Sequence, residues 1–104
     1  MASFTLCYDL ERTNNPNNAF IEAALGLGWK AWVRGTDSKW HKLPDTTLRG
    51  DFANKDAAIK AFEAIKPAAE KILGKTLKIE KYFLVESSTI SMFSDETKSE
   101  NPYP

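Results

Sequence analysis

Apolar and polar residues alternate in four stretches of the chain, a pattern typical of β-strands that bury one face. The alternation is clearest in the first stretch, where Phe4, Leu6 and Tyr8 fall on one side of an extended backbone. The four predicted strands are Ser3–Leu10, Trp29–Arg34, Thr46–Phe52 and Thr76–Glu86. Their lengths suit the strands of a small sheet.

Two other segments repeat their apolar residues every three or four positions, which predicts amphipathic helices. The first helix is expected over residues 16–27, with Asn15 as its N-cap. The second is expected between Asn54 and Gly74. Pro67 lies inside this second pattern, so the helix should be kinked or split near the proline.

The resulting order is strand, helix, strand, strand, helix, strand. This order predicts an α+β protein, a ferredoxin-like βαββαβ sandwich in which one antiparallel four-stranded sheet carries two helices on one face. Apolar residues continue over Ser87–Phe93, which predicts a short C-terminal strand. We therefore expect one domain over residues 1–93. Residues 94–104 are rich in acidic side chains and have no apolar period, so a flexible acidic tail is expected there.

Two features of this arrangement predict a homodimer. Helices on one face leave the other face of the sheet uncovered, and Trp32 is a large apolar group to expose there. An extra strand that follows a complete sheet is also well placed to pair with a neighbouring chain. The residues expected at the dimer interface are Trp32, Thr89, Ile90, Met92 and Phe93.

Composition narrows the class of protein further. The 104 residues contain one cysteine, so no internal disulfide can form, which is compatible with a reducing compartment. No apolar run approaches the roughly 20 residues that span a bilayer. We therefore expect a cytoplasmic protein that does not interact with a membrane.

The charge balance bears on nucleic-acid binding. The 14 basic and 14 acidic side chains cancel, which argues against a protein whose main task is to hold nucleic acid electrostatically. The balance is uneven along the chain, however. Residues 1–86 carry 13 basic and 11 acidic side chains, and residues 87–104 carry one and three. The predicted domain is thus mildly basic, which weakens the argument without reversing it.

Several catalytic motifs are absent from the sequence, including a phosphate-binding glycine loop, HExxH and a nucleophile elbow. One histidine and one cysteine do not make a closed zinc site within one chain. A Cys7–His41 nucleophile and base pair is disfavoured, because Cys7 is expected to be buried in the middle of a strand, whereas reactive thiols need exposure.

A basic and aromatic cluster surrounds the loop between the second and third predicted strands. Its members, the candidate RNA-binding residues, are Arg34, Lys39, Trp40, His41, Lys42 and Arg49. An aromatic ring among cations suits single-stranded nucleic acid, because bases stack on the ring and phosphates pair with the cations. An ordinary solvated hairpin, with Trp40 folded onto the core, is an equally good interpretation.

Asp9 stands near the end of the first strand, where carboxylates are uncommon. Its oxygens could bind a hard cation, especially if a dimer brings two copies together. Alternatively, Asp9 accepts backbone N–H groups in the turn through Glu11 and Arg12.

Three short segments resemble a known superfamily. Tyr8-Asp9-Leu10 ends the first strand, Trp29 opens the second, and Trp40–Leu48 leads into the third. These features are similar to the small ferredoxin-like endoribonuclease superfamily, which includes CRISPR-associated spacer-acquisition subunits, type V antitoxin endoribonucleases (GhoS) and SinR-like proteins. The resemblance implies a homodimer whose sheets pack face to face. It also implies that Asp9 is the magnesium ligand and the catalytic residue.

The combined expectation is a cytoplasmic homodimer that acts on RNA as a magnesium-dependent endoribonuclease or an RNA-binding protein of a toxin–antitoxin or defence system. The alternative is a non-catalytic antitoxin or adaptor of the same fold that binds a toxin or another protein. The neutral net charge and the acidic tail favour this alternative.

Overall fold

The computed structural model describes residues 1–103, which form three helices and two antiparallel sheets. In chain order the elements are β1 (Ala2–Leu10), α1 (Asn17–Leu25), β2 (Trp29–Lys30), β3 (Trp32–Arg34), β4 (Trp40–Lys42), β5 (Thr47–Phe52), α2 (Lys55–Glu63), α3 (Ile65–Leu73), β6 (Ile79–Glu86) and β7 (Thr97–Lys98). No helix in this part of the chain is long and apolar enough to cross a membrane. The predicted α+β class is confirmed.

The larger sheet is built around β1 and has the strand order β2-β5-β1-β6, with every neighbouring pair antiparallel. Residues 2–7 of β1 pair with residues 47–52 of β5. On its other side β1 pairs with β6, and the register shifts between Asp9 and Leu10. The candidate residue Asp9 therefore stands where the regular ladder is interrupted.

The period-two pattern of β1 separates a buried face from an open one. Phe4 and Leu6 are fully buried and Tyr8 is nearly so, whereas Cys7 between them is exposed. The prediction that Cys7 is buried is therefore wrong, because successive side chains of a strand point to opposite faces. The helices complete the core on the buried side, through Phe20, Ala24, Ala58, Phe62, Ile65 and Ala69.

The first helix starts without the predicted cap. Helix α1 begins at Asn17 and has no side-chain capping bond. Asn14 and Asn15 have φ angles of 68° and 49°, in the left-handed region that asparagine tolerates better than most residues. These residues form the turn, so the prediction of Asn15 as N-cap is wrong. The Tyr8 hydroxyl donates to Asn17 Oδ1 at 3.1 Å and thereby attaches the helix start to β1.

The second predicted helix is divided into α2 and α3 at Ala64, which confirms the predicted break. Asn54 caps α2 as predicted, and its side chain accepts the Ala57 N–H at 2.9 Å. Pro67 lies in the first turn of α3, where its missing N–H costs no intrahelical hydrogen bond. Gly74 ends α3 in a left-handed conformation with φ of 71°.

The second predicted strand is not continuous, because the chain leaves the larger sheet at Ala31. Strand β2 pairs with β5 as far as Lys30↔Arg49, and β3 then pairs with β4 in the smaller sheet. The Ala31 carbonyl accepts the Leu43 N–H at 2.8 Å. The segment 35–44, expected to be a loop, therefore contains strand β4.

The extra strand lies further along the chain than predicted. Residues 87–93 form no strand, and Phe93 is 88% exposed, whereas Met92 is half-buried. Strand β7 instead pairs with β4, with Trp40 opposite Lys98. The segment 94–103 thus contacts the folded domain. Its flexibility, and the pairing of residues 87–93 with a second copy, stay predictions.

Candidate functional site

The register of the smaller sheet places aromatic and basic side chains on one surface. Residues opposite each other in an antiparallel pair lie on the same face. Trp32 is opposite Lys42 and Arg34 is opposite Trp40, so these four side chains share one face. His41, between Trp40 and Lys42, lies on the other face.

A cleft of about 430 Å³ lies where this sheet meets β2 and β5, and we name it the tryptophan cleft. Its charged and aromatic lining residues are Lys30, Trp32, Arg34, Trp40, Arg49 and Asp51. The structure therefore brings together Arg34, Trp40 and Arg49 from the predicted RNA-binding set. Sequence reasoning did not select Lys30, and it assigned Trp32 to a dimer interface. Around the cleft, basic side chains outnumber acidic ones.

The cations of the tryptophan cleft are available to an anionic ligand. The Arg49 guanidinium donates to the Thr5 hydroxyl at 2.6 Å and to the Ser87 carbonyl at 2.9 Å, which fixes its position on the open face of the larger sheet. Within residues 1–103, neither Arg49, Lys30 nor Arg34 forms an ion pair within 4.0 Å of a carboxylate. Among the described residues, no acidic side chain forms an ion pair with these cations.

Tyr103, from the segment predicted to be a flexible tail, contacts three residues that line this cleft. Its hydroxyl oxygen accepts the N–H groups of Ala31 at 2.8 Å and Trp32 at 2.6 Å. Its ring lies edge-on to Trp40, with centroids 6.0 Å apart, and Lys30 Nζ is 5.3 Å from the ring centroid. Burial raises the pKa of the Tyr103 phenol, so the group is neutral at pH 7.

The other three predicted RNA-binding residues lie outside the tryptophan cleft. His41 Nε2 is 3.1 Å from both carboxylate oxygens of Asp37, and this hydrogen bond is the main reason that the pKa of Asp37 is lowered. Lys42 Nζ donates to the carbonyl of the next residue and is 3.9 Å from Asp45 Oδ1. Lys39 is exposed in the hairpin. Lys42 thus shares the face of Trp40 without lining the cleft, whereas His41 lies on the opposite face.

Asp9 belongs to a different region of the molecule. Its carboxylate is exposed on the open face, opposite Lys81 of β6, and lines a cleft of about 370 Å³ together with Asp45. The turn after β1 is closed by the Glu11 N–H, which donates to the Lys78 carbonyl at 2.9 Å. No group of three or more histidine, cysteine or acidic side chains in the described part of the chain could hold a metal ion.

Tyr8 supports the wall of the Asp9 cleft from inside the core. Burial, with a smaller contribution from the negative charge of Asp45, raises the pKa of the Tyr8 phenol. The hydroxyl therefore stays protonated and donates to Asn17, a residue that lines this cleft. Tyr8 is thus a positioning group and not an exposed acid or base.

Cys7 and His41 are not hydrogen-bonded to each other. Cys7 Sγ is exposed and lies 4.0 Å from the Thr47 hydroxyl, whereas the His41 ring contacts Asp37. The structure thus gives no support to a nucleophile and base pair built from these two residues.

The open face of the larger sheet carries exposed apolar residues. Phe83 and Val85 of β6 are 65% and 39% exposed. They are opposite Cys7 and Thr5 of β1, so they share the face that the core does not use. This patch continues towards Arg49, whose guanidinium holds the Thr5 hydroxyl.

Among the predicted dimer-interface residues, Trp32 lines the tryptophan cleft and Ile90 and Met92 line a neighbouring cleft. That these residues bind a second copy stays a prediction. Trp32 is half-buried, and an ammonium group of β7 lies 4.8 Å from its ring centroid. The cleft lined by Ile90 and Met92 has a volume of about 480 Å³, shares Arg34 and Arg49 with the tryptophan cleft and also contains His41. Thr89 and Phe93, the sequence neighbours of Ile90 and Met92, are exposed.

Comparisons with known proteins gave no match for the chain. No family model matches it, and no match was found among curated proteins or solved structures.

Proposed function

We propose that the protein is an RNA-binding homodimer that takes single-stranded RNA into the tryptophan cleft. The observation that carries this proposal is the convergence of Trp32 and Trp40 with three cations that pair with no carboxylate of residues 1–103. These groups come from two predicted strands and the loop between them, so they meet only in the folded chain.

The physical basis is a combination of stacking and charge. An exposed aromatic ring that stacks on a base contributes roughly 1–3 kcal/mol, and the strength depends little on sequence. Cations at the same cleft pair with the phosphates and release counterions, which makes binding salt-dependent. Lys30, Arg34 and Arg49 are placed to supply this term beside the two tryptophans.

The ferredoxin-like architecture is part of the proposal. It is supported by the central position of β1 between β5 and β6, and by the antiparallel pairing of every strand in the larger sheet. The buried residues of all three helices belong to one core with the Phe4 face of β1, which also supports it. The smaller sheet is then an addition to that framework.

The homodimer is supported by the open face. Phe83 and Val85 are exposed on this face of β6. Packing against the same face of a second copy would remove them from water. Burial of apolar area contributes about 25 cal/mol per Å².

We further propose magnesium-dependent endoribonuclease activity at Asp9. Magnesium is commonly held by one or two carboxylates together with phosphate oxygens and water. Asp9 and Asp45 line one cleft, and their carboxylates are donors of the type that magnesium prefers. Bound there, the ion would activate water as a Lewis acid. Arg12 lines the same cleft, where its guanidinium can orient a phosphodiester.

RNA binding can be tested by fluorescence anisotropy with a labelled single-stranded RNA. Arg34→Ala removes an exposed cation of the tryptophan cleft, and we expect affinity to fall roughly 3- to 10-fold. Lys60→Ala is the matched control, because Lys60 is also an exposed cation but lies on α2. Equal affinities for the two variants would contradict the proposed binding site.

Cleavage can be tested separately in single-turnover reactions with magnesium and end-labelled RNA. We expect Asp9→Asn to lose cleavage, whereas Glu80→Gln, an exposed carboxylate of β6, should retain it. Chelation of magnesium should abolish cleavage by the wild type. Equal cleavage by Asp9→Asn and the wild type would remove Asp9 from the mechanism and leave RNA binding untouched.

A second candidate function is favoured by the exposed apolar residues Phe83, Ile90 and Phe93. These suit a non-catalytic antitoxin or adaptor that binds another protein. The absence of RNA binding at every salt concentration would support this function over the first.

A further inference from the structure

The smaller sheet leaves two consecutive backbone donors outside its strand ladders. The pairing of β2 with β5 ends at Lys30, and β3 pairs with β4 only from Trp32 onwards. The N–H groups of Ala31 and Trp32 instead converge on one oxygen atom, the Tyr103 hydroxyl, at 2.8 and 2.6 Å. One acceptor with two lone pairs satisfies both donors.

The side chains around the Tyr103 hydroxyl suit a planar aromatic ring. Trp40 meets the Tyr103 ring at 80° with the centroids 6.0 Å apart, and Lys30 Nζ lies 5.3 Å from the ring centroid. Edge-to-face aromatic contacts and a cation over a ring are both favourable. Lys30, Trp32 and Trp40 also line the tryptophan cleft. Tyr103 therefore sits on the groups that the proposed function assigns to RNA.

A nucleobase with an exocyclic carbonyl oxygen presents the same chemistry as the Tyr103 side chain. It has an aromatic ring to contact Trp40 and an oxygen that can accept two N–H bonds. Uracil, guanine and cytosine carry such an oxygen, whereas adenine carries only an exocyclic amine and ring nitrogens. The backbone donors could thus distinguish adenine from the other three bases.

The segment that carries Tyr103 has a further attachment of its own. Strand β7 pairs with β4, and Lys98 Nζ lies 4.8 Å from the centroid of the Trp32 ring. This pairing holds the segment against the smaller sheet. A two-residue strand contributes few hydrogen bonds, so the segment belongs to the least stable part of the fold.

We infer that the Ala31 and Trp32 amides form a subsite for a nucleobase carbonyl, and that Tyr103 occupies this subsite until RNA displaces it. The inference rests on the proposed RNA binding. Its consequence is autoinhibition, because the apparent affinity falls in proportion to the fraction of molecules whose site is open. A site that is closed about nine-tenths of the time binds about tenfold more weakly.

The test uses three variants of the full chain, each with one substitution. Tyr103→Ala removes both the ring and the oxygen, and Tyr103→Phe removes only the oxygen. Ser99→Ala is the control, because Ser99 is an exposed residue of the same segment. The probes are oligouridine and oligoadenine of equal length, with affinity measured by anisotropy. Amide exchange at Ala31 and Trp32, followed by NMR, reports on the subsite without any RNA.

We expect Tyr103→Ala to bind oligouridine about 5- to 10-fold more tightly than the wild type, with a smaller gain for oligoadenine. Tyr103→Phe should expose both amides to exchange, and oligouridine should protect them again. Ser99→Ala should match the wild type in both measurements.

The contradicting results separate the two proposals. If the wild type and Tyr103→Ala bind oligouridine equally well, or if the two amides exchange freely in the wild type, Tyr103 does not occupy a base subsite. An equal gain for both oligonucleotides would also overturn the carbonyl subsite. If neither protein binds either RNA although Tyr103→Ala exposes the amides, the proposed function itself fails.

Discussion

Two tyrosines use their hydroxyl groups in opposite ways. Tyr8 donates a hydrogen bond to Asn17, and Tyr103 accepts two from the backbone. The burial of Tyr8 follows from the alternation in the first strand, so it was predictable. Tyr103 has no local signal, because its partners Ala31 and Trp32 lie far away in sequence. Contacts of this kind depend on the tertiary structure and not on a periodic pattern.

The Tyr8 hydroxyl makes the free energy of unfolding depend on pH in the alkaline range. The folded-state pKa of Tyr8 is raised above its ordinary value of 10.0. Above pH 10 the unfolded chain releases this proton first, so stability falls as the pH rises towards the folded-state pKa. In urea unfolding, Tyr8→Phe should lose about 1 kcal/mol at pH 7 through the lost hydrogen bond. As the pH is raised above 10, the free energy of unfolding of Tyr8→Phe should fall less than that of the wild type. Parallel losses in the two proteins would contradict this assignment.

At the scale of elements, local signals succeed where a segment carries its own information. Asn54 caps α2 with the expected bond to the Ala57 N–H, and Pro67 accompanies the break between α2 and α3. The smaller sheet was not predicted, because its strands are only two or three residues long and β7 pairs with β4 from far along the chain. The predicted strand at residues 87–93 failed for a related reason, since apolar residues alone do not supply a pairing partner.

The cap of α2 gives a quantitative prediction. Asn54→Ala removes the acceptor of the Ala57 N–H, which should lower the free energy of unfolding by about 1 kcal/mol. Asn54→Asp keeps an acceptor at the cap and should remain close to the wild type. Urea unfolding monitored by circular dichroism measures both variants. An Asn54→Ala protein as stable as the wild type would show that the cap bond is not formed.

At the scale of the whole molecule, the neutral net charge conceals an uneven distribution. Lys30, Arg34 and Arg49 meet at one cleft, while the segment that bears Asp95, Glu96 and Glu100 runs alongside the smaller sheet. The sequence predicted the basic cluster but not its division, because the two faces of β4 separate Trp40 from His41. The sequence also did not predict that the apolar patch of Phe83 and Val85 would lie on the same open face of the larger sheet as Arg49.

The open face predicts the oligomeric state. We expect light scattering after size exclusion to give twice the chain mass of 11.7 kDa. Phe83→Asp places a charge on the exposed patch and should yield a folded monomer, since this side chain is 65% exposed and packs outside the core. Glu80→Gln is the control on the same strand and should remain dimeric. A wild-type monomer at high concentration would contradict the homodimer.

The most direct test of RNA binding at the tryptophan cleft is the salt dependence of the affinity for single-stranded RNA. Three cations that contact phosphates should give a slope of about −2 for the logarithm of the association constant against the logarithm of salt concentration. Arg34→Ala should reduce the steepness by about 0.7, and Lys60→Ala should leave it unchanged. Absence of binding at low salt, or the same slope for all three proteins, would contradict the proposed function.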